Sequence, residues 1–542
     1  MHDWIDEALI KASIERAARW QVRANRLLTP DEHKQQRQFA KMLDASADKV
    51  FLVKLLDQGL RSRHPGRVAD QIRFLLETYG TPRFFDPGER LLSRLFRYVG
   101  HHFSAWAVPA IIASMRKLSR QMIIPGEMDE LTDFLGRRRA EGVQVNINHL
   151  GEAVLGEQEA CRRLAVYLDD LKNPLVEHIS VKISTLYSQL RPIAFEHDVA
   201  VLIDRLSLLY RAAQQQAFEG ADGVRRPKIV HLDMEAFDDV ETTLAAFRRT
   251  LAQDQFRSLT AGIVLQAYLP ESFVFQQALT RWARERTAAG GAPIRLRIVK
   301  GANLEMERVQ AALHGWPQAP FSYKGDVDAH FKRMLGYALQ PEHLASVHLG
   351  VASHNLFELA LAYEAAKRKG VQDQVAFELL AGMADHVRRA LAEQGLSLLL
   401  YAPVAGRDEF LHAVAYLIRR MDENSGRGNY LRYAPMLTTD SEAWQGLSTA
   451  FVSACRRIDT TRTHPFRNQD RLAEARMTPP ADPGDEGFFN VPDTDWSLAA
   501  NRQWADQIRT QWQRRAGDDP VVVTPVVAGQ AVAHAPDQAV FD

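Results

Sequence analysis

The chain has 542 residues, with 67 Lys+Arg against 67 Asp+Glu, so its formal net charge is zero. Hydrophobic residues make up 46% and charged residues 25%, an ordinary globular composition that excludes a polybasic nucleic-acid binder or an acidic tail protein. Two cysteines, Cys161 and Cys455, cannot build a disulfide framework or a CxxC metal site and point to a reducing compartment.

The opening MHDWIDEALI is acidic and lacks a basic n-region and apolar core, so no secretory leader is expected. No apolar run approaches membrane-spanning length, which makes cytoplasm the expected location. Residues 1–140 read as a helical arm domain: apolar residues recur at helical spacing through IDEALIKASIERAARW and FLVKLLDQGL, with breaks at HPGR and YGTPRFFDPGER.

Residues 141–435 alternate between strand and helix. The strand candidates are VQVNINHL, HISVKIS, KIVHLDME, GIVLQAYL, IRLRIVKG, SVHLGVAS, VAFELL and SLLLYAPV. Among the helices between them, one is expected to start at Ser272 as N-cap, and another to start at Asn355 and stop at Gly370. Helical spacers between near-continuous apolar strands imply parallel pairing, and eight such units match an α/β protein built as a (β/α)8 barrel. A doubly wound dinucleotide-binding sheet is the competitor, but no GxGxxG occurs. Residues 436–542 read as helical or irregular linker: RMTPPADPGDEGFFNVPDTDW is rich in turn formers, a short helix follows, and the final strand-like residues cannot fold a core alone.

A barrel carries its chemistry at the carboxyl ends of its strands. There this sequence places Asn148, Lys182, Asp233, Gln266, Arg297, Lys300, Ser353, His354, Asn355, Glu378 and Tyr401. Buried Lys and Arg need anionic partners, from the protein or from a ligand. The bland alternative is an ion-pair network across the barrel top. After the last strand, Tyr416, Arg419, Arg420 and Glu423 fall at spacings of three and four in a helical pattern. Adjacent arginines suit a bidentate grip on a carboxylate, although RR in an amphipathic helix is usually a solvated face. His348 and His354 lack a partner pattern for a metal, and none is expected. Lys182 or Lys300 as a Schiff-base lysine is the main enzymatic alternative from pattern alone, and a non-catalytic scaffold is the third reading.

The ordered motifs ISVKIS, GIVLQAY, RIVKGAN, VASHN, FELLAGM and YLIRRMDEN, with LGEA at 150–153, resemble the flavin-dependent proline dehydrogenase barrel over roughly residues 140–430. NVPDTDWSLAANRQWA resembles the segment leading into the aldehyde dehydrogenase half of bifunctional proline utilization A enzymes, whose first half the chain resembles. The resemblance implies oxidation of L-proline to Δ1-pyrroline-5-carboxylate with FAD, a quinone acceptor reached by peripheral contact at the inner face of a membrane, and an aldehyde dehydrogenase partner. No nucleic-acid partner is expected. By motif, Arg419 and Arg420 would clamp the proline carboxylate and Lys182 would add a cation. Tyr401, Tyr416 and Leu380 would wall the ring, Asp233 would support the lysine, and Glu152 would pair with Arg419 as a gate. For FAD, Gln266 and Arg297 would meet the flavin ring, and Val299, Lys300, Gly301 and Ala302 would line ring and phosphates. Ser353, His354 and Asn355 would hold the remainder, with Arg420 nearby, Glu423 at the adenosine end, and Met234, Val264, Lys324 and Glu378 completing the set. Cations around the carboxylate would lower the substrate amine pKa. Two departures stand out: Asn303 where many relatives carry Tyr, and Asn148 where an acidic residue is common.

Overall fold

The computed structural model describes residues 4–44, 46–100, 102–120, 122–150, 154–220, 223–410, 413, 416, 426, 428–474, 490–513, 524 and 526–531. Two compact units divide it, Met1–Arg467 and Asn468–Asp542.

In the first unit all eight expected strands form. They are Gln144–His149, His178–Lys182, Ile229–Asp233, Gly262–Gln266, Ile294–Val299, Val347–Ala352, Val375–Leu380 and Leu398–Ala405. Every neighbouring pair is parallel, and the eighth strand pairs back onto the first with Tyr401 opposite Asn146 and Pro403 opposite Asn148, which closes the barrel. β-branched and aliphatic residues supply these strands because both sheet faces are covered. The helix Leu356–Lys369 begins as expected: Asn355 caps it by accepting from the Phe357 N–H, and Gly370 ends it at φ 67°. The helix Ser272–Ala288 begins one residue early. Ser272 is its first helical residue and Glu271 its cap, because a turn donating the Ser272 N–H to Leu269 O already leads into it.

The helices of residues 1–140 are α1 (Glu7–Arg26), α2 (Pro30–Asp44), α3 (Ser46–Lys54), α4 (Pro65–Tyr79), α5 (Pro87–Val99), α6 (Ser104–Ser119) and α7 (Met128–Ala140). The period calls for helices here, and α1 buries Leu9, Ile10, Ala17, Trp20 and Ala24 along one face. Two features lie outside the periodic pattern. A π-helical turn, Leu55–Gly59, continues α3, and a two-residue strand, Ile124–Pro125, adds to the end of the eighth barrel strand. Leu56 of the π turn and Ile123 join Leu150, Ala405, Phe410, Ala413 and Tyr416 in one apolar cluster, with Leu52, Ile112 and Met115 packed against it. The arm therefore backs the segment that follows the last strand.

In the second unit, the helix Ala499–Gln513 buries Asn501, whose side-chain oxygen accepts from the Arg471 N–H at 2.9 Å. Trp496 and Trp504 stack at 6.1 Å, and the residues Val526–Ala531 form a small exposed hairpin. Among the described residues no helix is long and apolar enough to cross a membrane.

Candidate active site

Side chains alternate along a strand, so each strand sends every second residue into the barrel. At the carboxyl-terminal mouth these residues line a cavity of about 310 Å³. Lys182, Asp233, Val264, Gln266, Arg297, Val299, Glu378, Leu380 and Tyr401 reach it from the strands, Met234, Gly301, Ala302, Ser353 and His354 from the turns beyond them, and Tyr416 from the segment after the last strand. Asn148 and Asn303 line it too.

Arg297 forms the floor and is buried. Its Nη1 donates to Asp233 Oδ1 at 2.8 Å and its Nε to Glu378. Ser180 Oγ also donates to Asp233 Oδ1, at 3.1 Å, and Tyr401 Oη donates to Asp233 Oδ2 at 2.7 Å. Burial opposes the Arg297 charge, but Glu378 and Asp233 outweigh it and hold the guanidinium above its ordinary pKa. Burial and the Asp233 carboxylate keep the Tyr401 hydroxyl protonated well above the usual phenol range. The Arg297 guanidinium also lies 5.3 Å from the Tyr401 ring centroid. Arg297 Nη2 is buried and has no hydrogen-bond partner among the described residues.

Lys182 is held differently from the expectation. Its Nζ donates to Glu235 Oε1 at 2.5 Å, and Ser184 Oγ donates to the other oxygen of the same carboxylate. Asp233 lies opposite Lys182 in strand register, but its oxygens are taken by Arg297, Ser180 and Tyr401. Glu235 sits two residues past its strand end, in a turn; only its place two positions beyond Asp233 in DMEAFDD signalled it. Gln266 fixes that turn by donating to Glu235 O at 3.1 Å.

Lys300 leaves the cavity. Its Nζ donates to Asp328 Oδ1 at 2.5 Å and Glu358 Oε1 at 3.1 Å, on the helices Lys324–Ala338 and Leu356–Lys369. Burial disfavours the ammonium, yet Asp328 and Glu358 hold it above its ordinary pKa. A Schiff-base lysine needs a neutral amine, so this environment works against that role. The two carboxylates are also shared with Lys332, fully buried and 2.7 Å from Glu358, and with Lys324, 2.5 Å from Asp328. Neither acid was read from the sequence, because both lie on amphipathic helices where a charge normally faces solvent. Asn355 serves as a helix cap, and His354 Nε2 accepts from the Leu380 N–H at 3.0 Å. Among the described residues no group of three His, Cys, Asp or Glu side chains is placed to hold a metal.

The charged side chains that line the cavity are two cations, Lys182 and Arg297, and three carboxylates, Asp233, Glu235 and Glu378. Each cation is already gripped by a carboxylate, so the anionic partners that these buried cations need come from the protein. Glu152, Arg419, Arg420 and Glu423 lie outside the described residues. Gly301 shapes one wall: at φ +118° a Cβ there would meet the Tyr268 ring at 2.5 Å, so only glycine lets the backbone pass.

A model of the proline dehydrogenase family matches residues 132–432, more than half of the chain. Hydroxyproline dehydrogenase of Homo sapiens is 31% identical over 199 residues, 36% of this chain and 40% of that protein. The structure of proline utilization A (PutA) from Corynebacterium freiburgense is 36% identical, with a TM-score of 0.62, over 76% of this chain and 38% of its own. PutA from Bdellovibrio bacteriovorus, solved inactivated by N-propargylglycine, shares the fold at a TM-score of 0.75 and 22% identity, over 97% of this chain and 50% of its own. The chain thus spans half or less of each of these relatives. The closed parallel barrel, the polar mouth and the family match over residues 132–432 agree: the chain belongs to the proline dehydrogenase family.

Proposed function

We propose that this chain oxidises L-proline to Δ1-pyrroline-5-carboxylate with FAD as electron acceptor. The observation that carries the reading is Arg297, a residue lining the cavity whose Nη2 is a buried donor lacking a partner among the described residues. A buried guanidinium N–H left unmade is costly, and an acceptor atom of a bound flavin would satisfy it. The glycine-opened wall at Gly301 and the apolar Val264, Val299 and Ala302 suit a flat tricyclic group. Gln266, Arg297, Met234, Val264, Val299, Gly301, Ala302, Ser353, His354 and Glu378 would hold the flavin end, and Asn355, Lys324, Arg420 and Glu423 the distal end. The Lys300 side chain takes no part in this site, since Asp328 and Glu358 occupy it.

Bound flavin supplies a two-electron acceptor that takes hydride from the carbon beside the substrate nitrogen. The chain's own residues orient and enclose. Arg419 and Arg420 would fork onto the substrate carboxylate, with Glu152 as the gate over Arg419. Asp233, Glu235 and Glu378 give the cavity the opposite polarity, so the pair of ends suits a zwitterion. Tyr401, Tyr416 and Leu380 wall the ring, and Lys182, held by Glu235, sets the cavity edge. Positioning of this kind is where a protein contributes most to a transfer whose hard chemistry belongs to a cofactor. A quinone as the acceptor that reoxidises the flavin, and an aldehyde dehydrogenase as consumer of the product, complete the proposal; the likeness to the longer PutA chains supports the second.

The test is a visible spectrum. Purified protein supplied with FAD should show a flavin band that bleaches when L-proline is added without oxygen. Trans-4-hydroxy-L-proline run beside it should bleach the band more slowly. Prior treatment with N-propargylglycine should abolish the response. A chain that takes up no FAD, or a flavin that L-proline leaves oxidised, overturns the proposal. Replacing Arg420 by Met should raise the Michaelis constant for proline, since losing one arm of a charged fork costs roughly 2–3 kcal/mol.

A further inference from the structure

The first unit ends at Arg467, and Asn468 opens the second. An arginine at the end of a unit is ordinarily a solvated charge. This one is 1% exposed. The segment that leads to it is fixed to the first unit, where Arg333 Nη2 donates to Thr461 O at 3.2 Å and Phe466 meets the Phe321 ring edge-on at 5.8 Å. The Arg467 guanidinium itself lies against two rings, 4.8 Å from the Phe237 centroid and 4.8 Å from the Trp316 centroid. Its Nε donates to Pro317 O at 3.1 Å and its Nη1 to Asp238 Oδ1 at 3.4 Å, while Nη2 stands 3.9 Å from Glu307 Oε2. A planar cation can stack on rings and donate within its own plane at once, which a lysine cannot.

These partners come from two stretches. One is the turn after the third strand, residues 234–239; the other is the helix Leu304–His314 with the loop that follows it. Two bonds join the stretches directly: Glu307 Oε1 accepts from the Phe237 N–H at 2.8 Å, and Gln310 Nε2 donates to Asp238 Oδ2 at 2.6 Å. Both stretches reach the cavity. The turn carries Glu235, whose carboxylate holds Lys182. The helix begins after Asn303, whose carbonyl accepts from the Glu307 N–H at 3.0 Å. Lys182, Glu235 and Asn303 all line the cavity. Glu307 is buried, and burial pushes its carboxyl above the ordinary range, against the Phe237 N–H, the Arg467 charge and a bond from Asn303, which favour the carboxylate. Without the arginine, a buried acid at the junction of the two stretches would lose its cation.

We propose that Arg467 is a positioning residue of the active site: it clamps the turn that carries Glu235 to the helix that follows Asn303, and so sets where Lys182 and Asn303 stand in the cavity. Its effect on turnover rests on the proline-oxidising reading above; the clamp itself does not.

The experiment compares Arg467→Met, Arg467→Lys and Trp316→Leu with the wild type, each as the full chain loaded with FAD. The methionine keeps the bulk and removes the charge and the fork. It should raise the Michaelis constant for L-proline about tenfold, with a smaller change in kcat, because the wall moves while the flavin stays. Arg467→Lys keeps the charge and loses the fork, so it should fall between. Trp316 is half-buried, and its leucine variant removes one ring; it should shift the Michaelis constant the same way by less, and it serves if the methionine variant does not fold. A loss of stability alone lowers the amount of active protein, and hence the apparent kcat, but not the Michaelis constant. An unchanged Michaelis constant in the folded variants, or a fall in kcat alone, overturns the proposal. Hydrogen exchange reads the clamp without substrate. The amides of residues 234–239 and of Leu304–His314 should exchange at least about tenfold faster in the methionine or leucine variant, and unchanged protection there overturns the clamp. A wild type whose flavin L-proline leaves oxidised would defeat the functional reading alone, and the exchange rates would then decide the clamp.

Discussion

Arg297 shows what a residue gains from its two neighbours and what it leaves open. Asp233 and Glu378 hold it by Nη1 and Nε, and Nη2 has no partner among the described residues. Replacing it by Met should cost roughly 3–5 kcal/mol of stability, because two carboxylates would stay buried without their counter-ion; urea titration of the apo chain measures this. If FAD satisfies Nη2, added FAD should raise the midpoint of the wild type and not of the variant. A second residue reports through pH. Asp239 precedes the helix Val240–Leu251 without a side-chain capping bond, and burial, with Glu235, Asp238 and Glu307 nearby, pushes its carboxyl up from 3.8 to about 7. Between those values the folded chain holds a proton that the unfolded chain has released. Stability therefore falls as pH rises through that window and levels off above it. Asp239→Asn keeps the size and shape of the side chain and removes the ionisation. It should stabilise the chain by roughly 2–4 kcal/mol at pH 8 and leave it unchanged at pH 4. At this scale the sequence discloses which residues gather at strand ends, because the period of two dictates it. It does not disclose their partners: Lys182 takes Glu235 from a turn, and Lys300 turns outward to acids on two helices, choices set by distances that spacing does not encode.

The eight strands are legible as elements because each is a near-continuous apolar run between helix punctuation, and parallel pairing leaves no other way to cover both faces. The π turn Leu55–Gly59 and the strand Ile124–Pro125 are too short to show a period, yet they carry the contact between arm and barrel mouth. Leu56 is buried among Leu150, Ala405, Phe410, Ala413 and Tyr416, and Leu150, Ala413 and Tyr416 also line the cavity. The π turn, a feature found often at functional sites, thus supports the wall of the site from behind. Leu56→Ala should cost about 2–4 kcal/mol, from the lost transfer term and the void left behind. It should also raise the Michaelis constant for proline with a smaller change in kcat, since the wall that holds the substrate loosens while the reacting groups stay in place. Val68→Ala in the arm core that contains Leu55 and Phe96 removes two methyl groups, touches no residue of the mouth, and should lower stability while leaving the Michaelis constant unchanged.

Across the whole first unit, the chain closes on itself. Helix α1 lies against the helices Leu356–Lys369 and Asp385–Ala392. The contact has a polar rim, with Arg16 on Glu364 at 2.7 Å, Arg23 on Glu393 at 2.6 Å and Asp6 on Arg368 at 3.0 Å. Its centre is apolar: Trp20 is buried and meets the Tyr363 ring edge-on at 5.6 Å. That α1 is a helix is plain from its period; what it packs against is not, because the partners lie some 350 residues along the chain. Exposed pairs such as Arg23–Glu393 lose to water and side-chain entropy nearly what they gain in attraction, so the rim sets where α1 sits and the centre supplies the energy. Trp20→Ala should therefore cost about 3–5 kcal/mol, while Arg23→Ala should have no measurable effect. In a cooperative unit of 467 residues the unfolding entropy is so large that each kcal/mol moves the midpoint by only about 1 °C. The tryptophan variant should then melt about 3–5 °C lower in calorimetry, and raising the salt concentration should leave the difference between the two proteins intact.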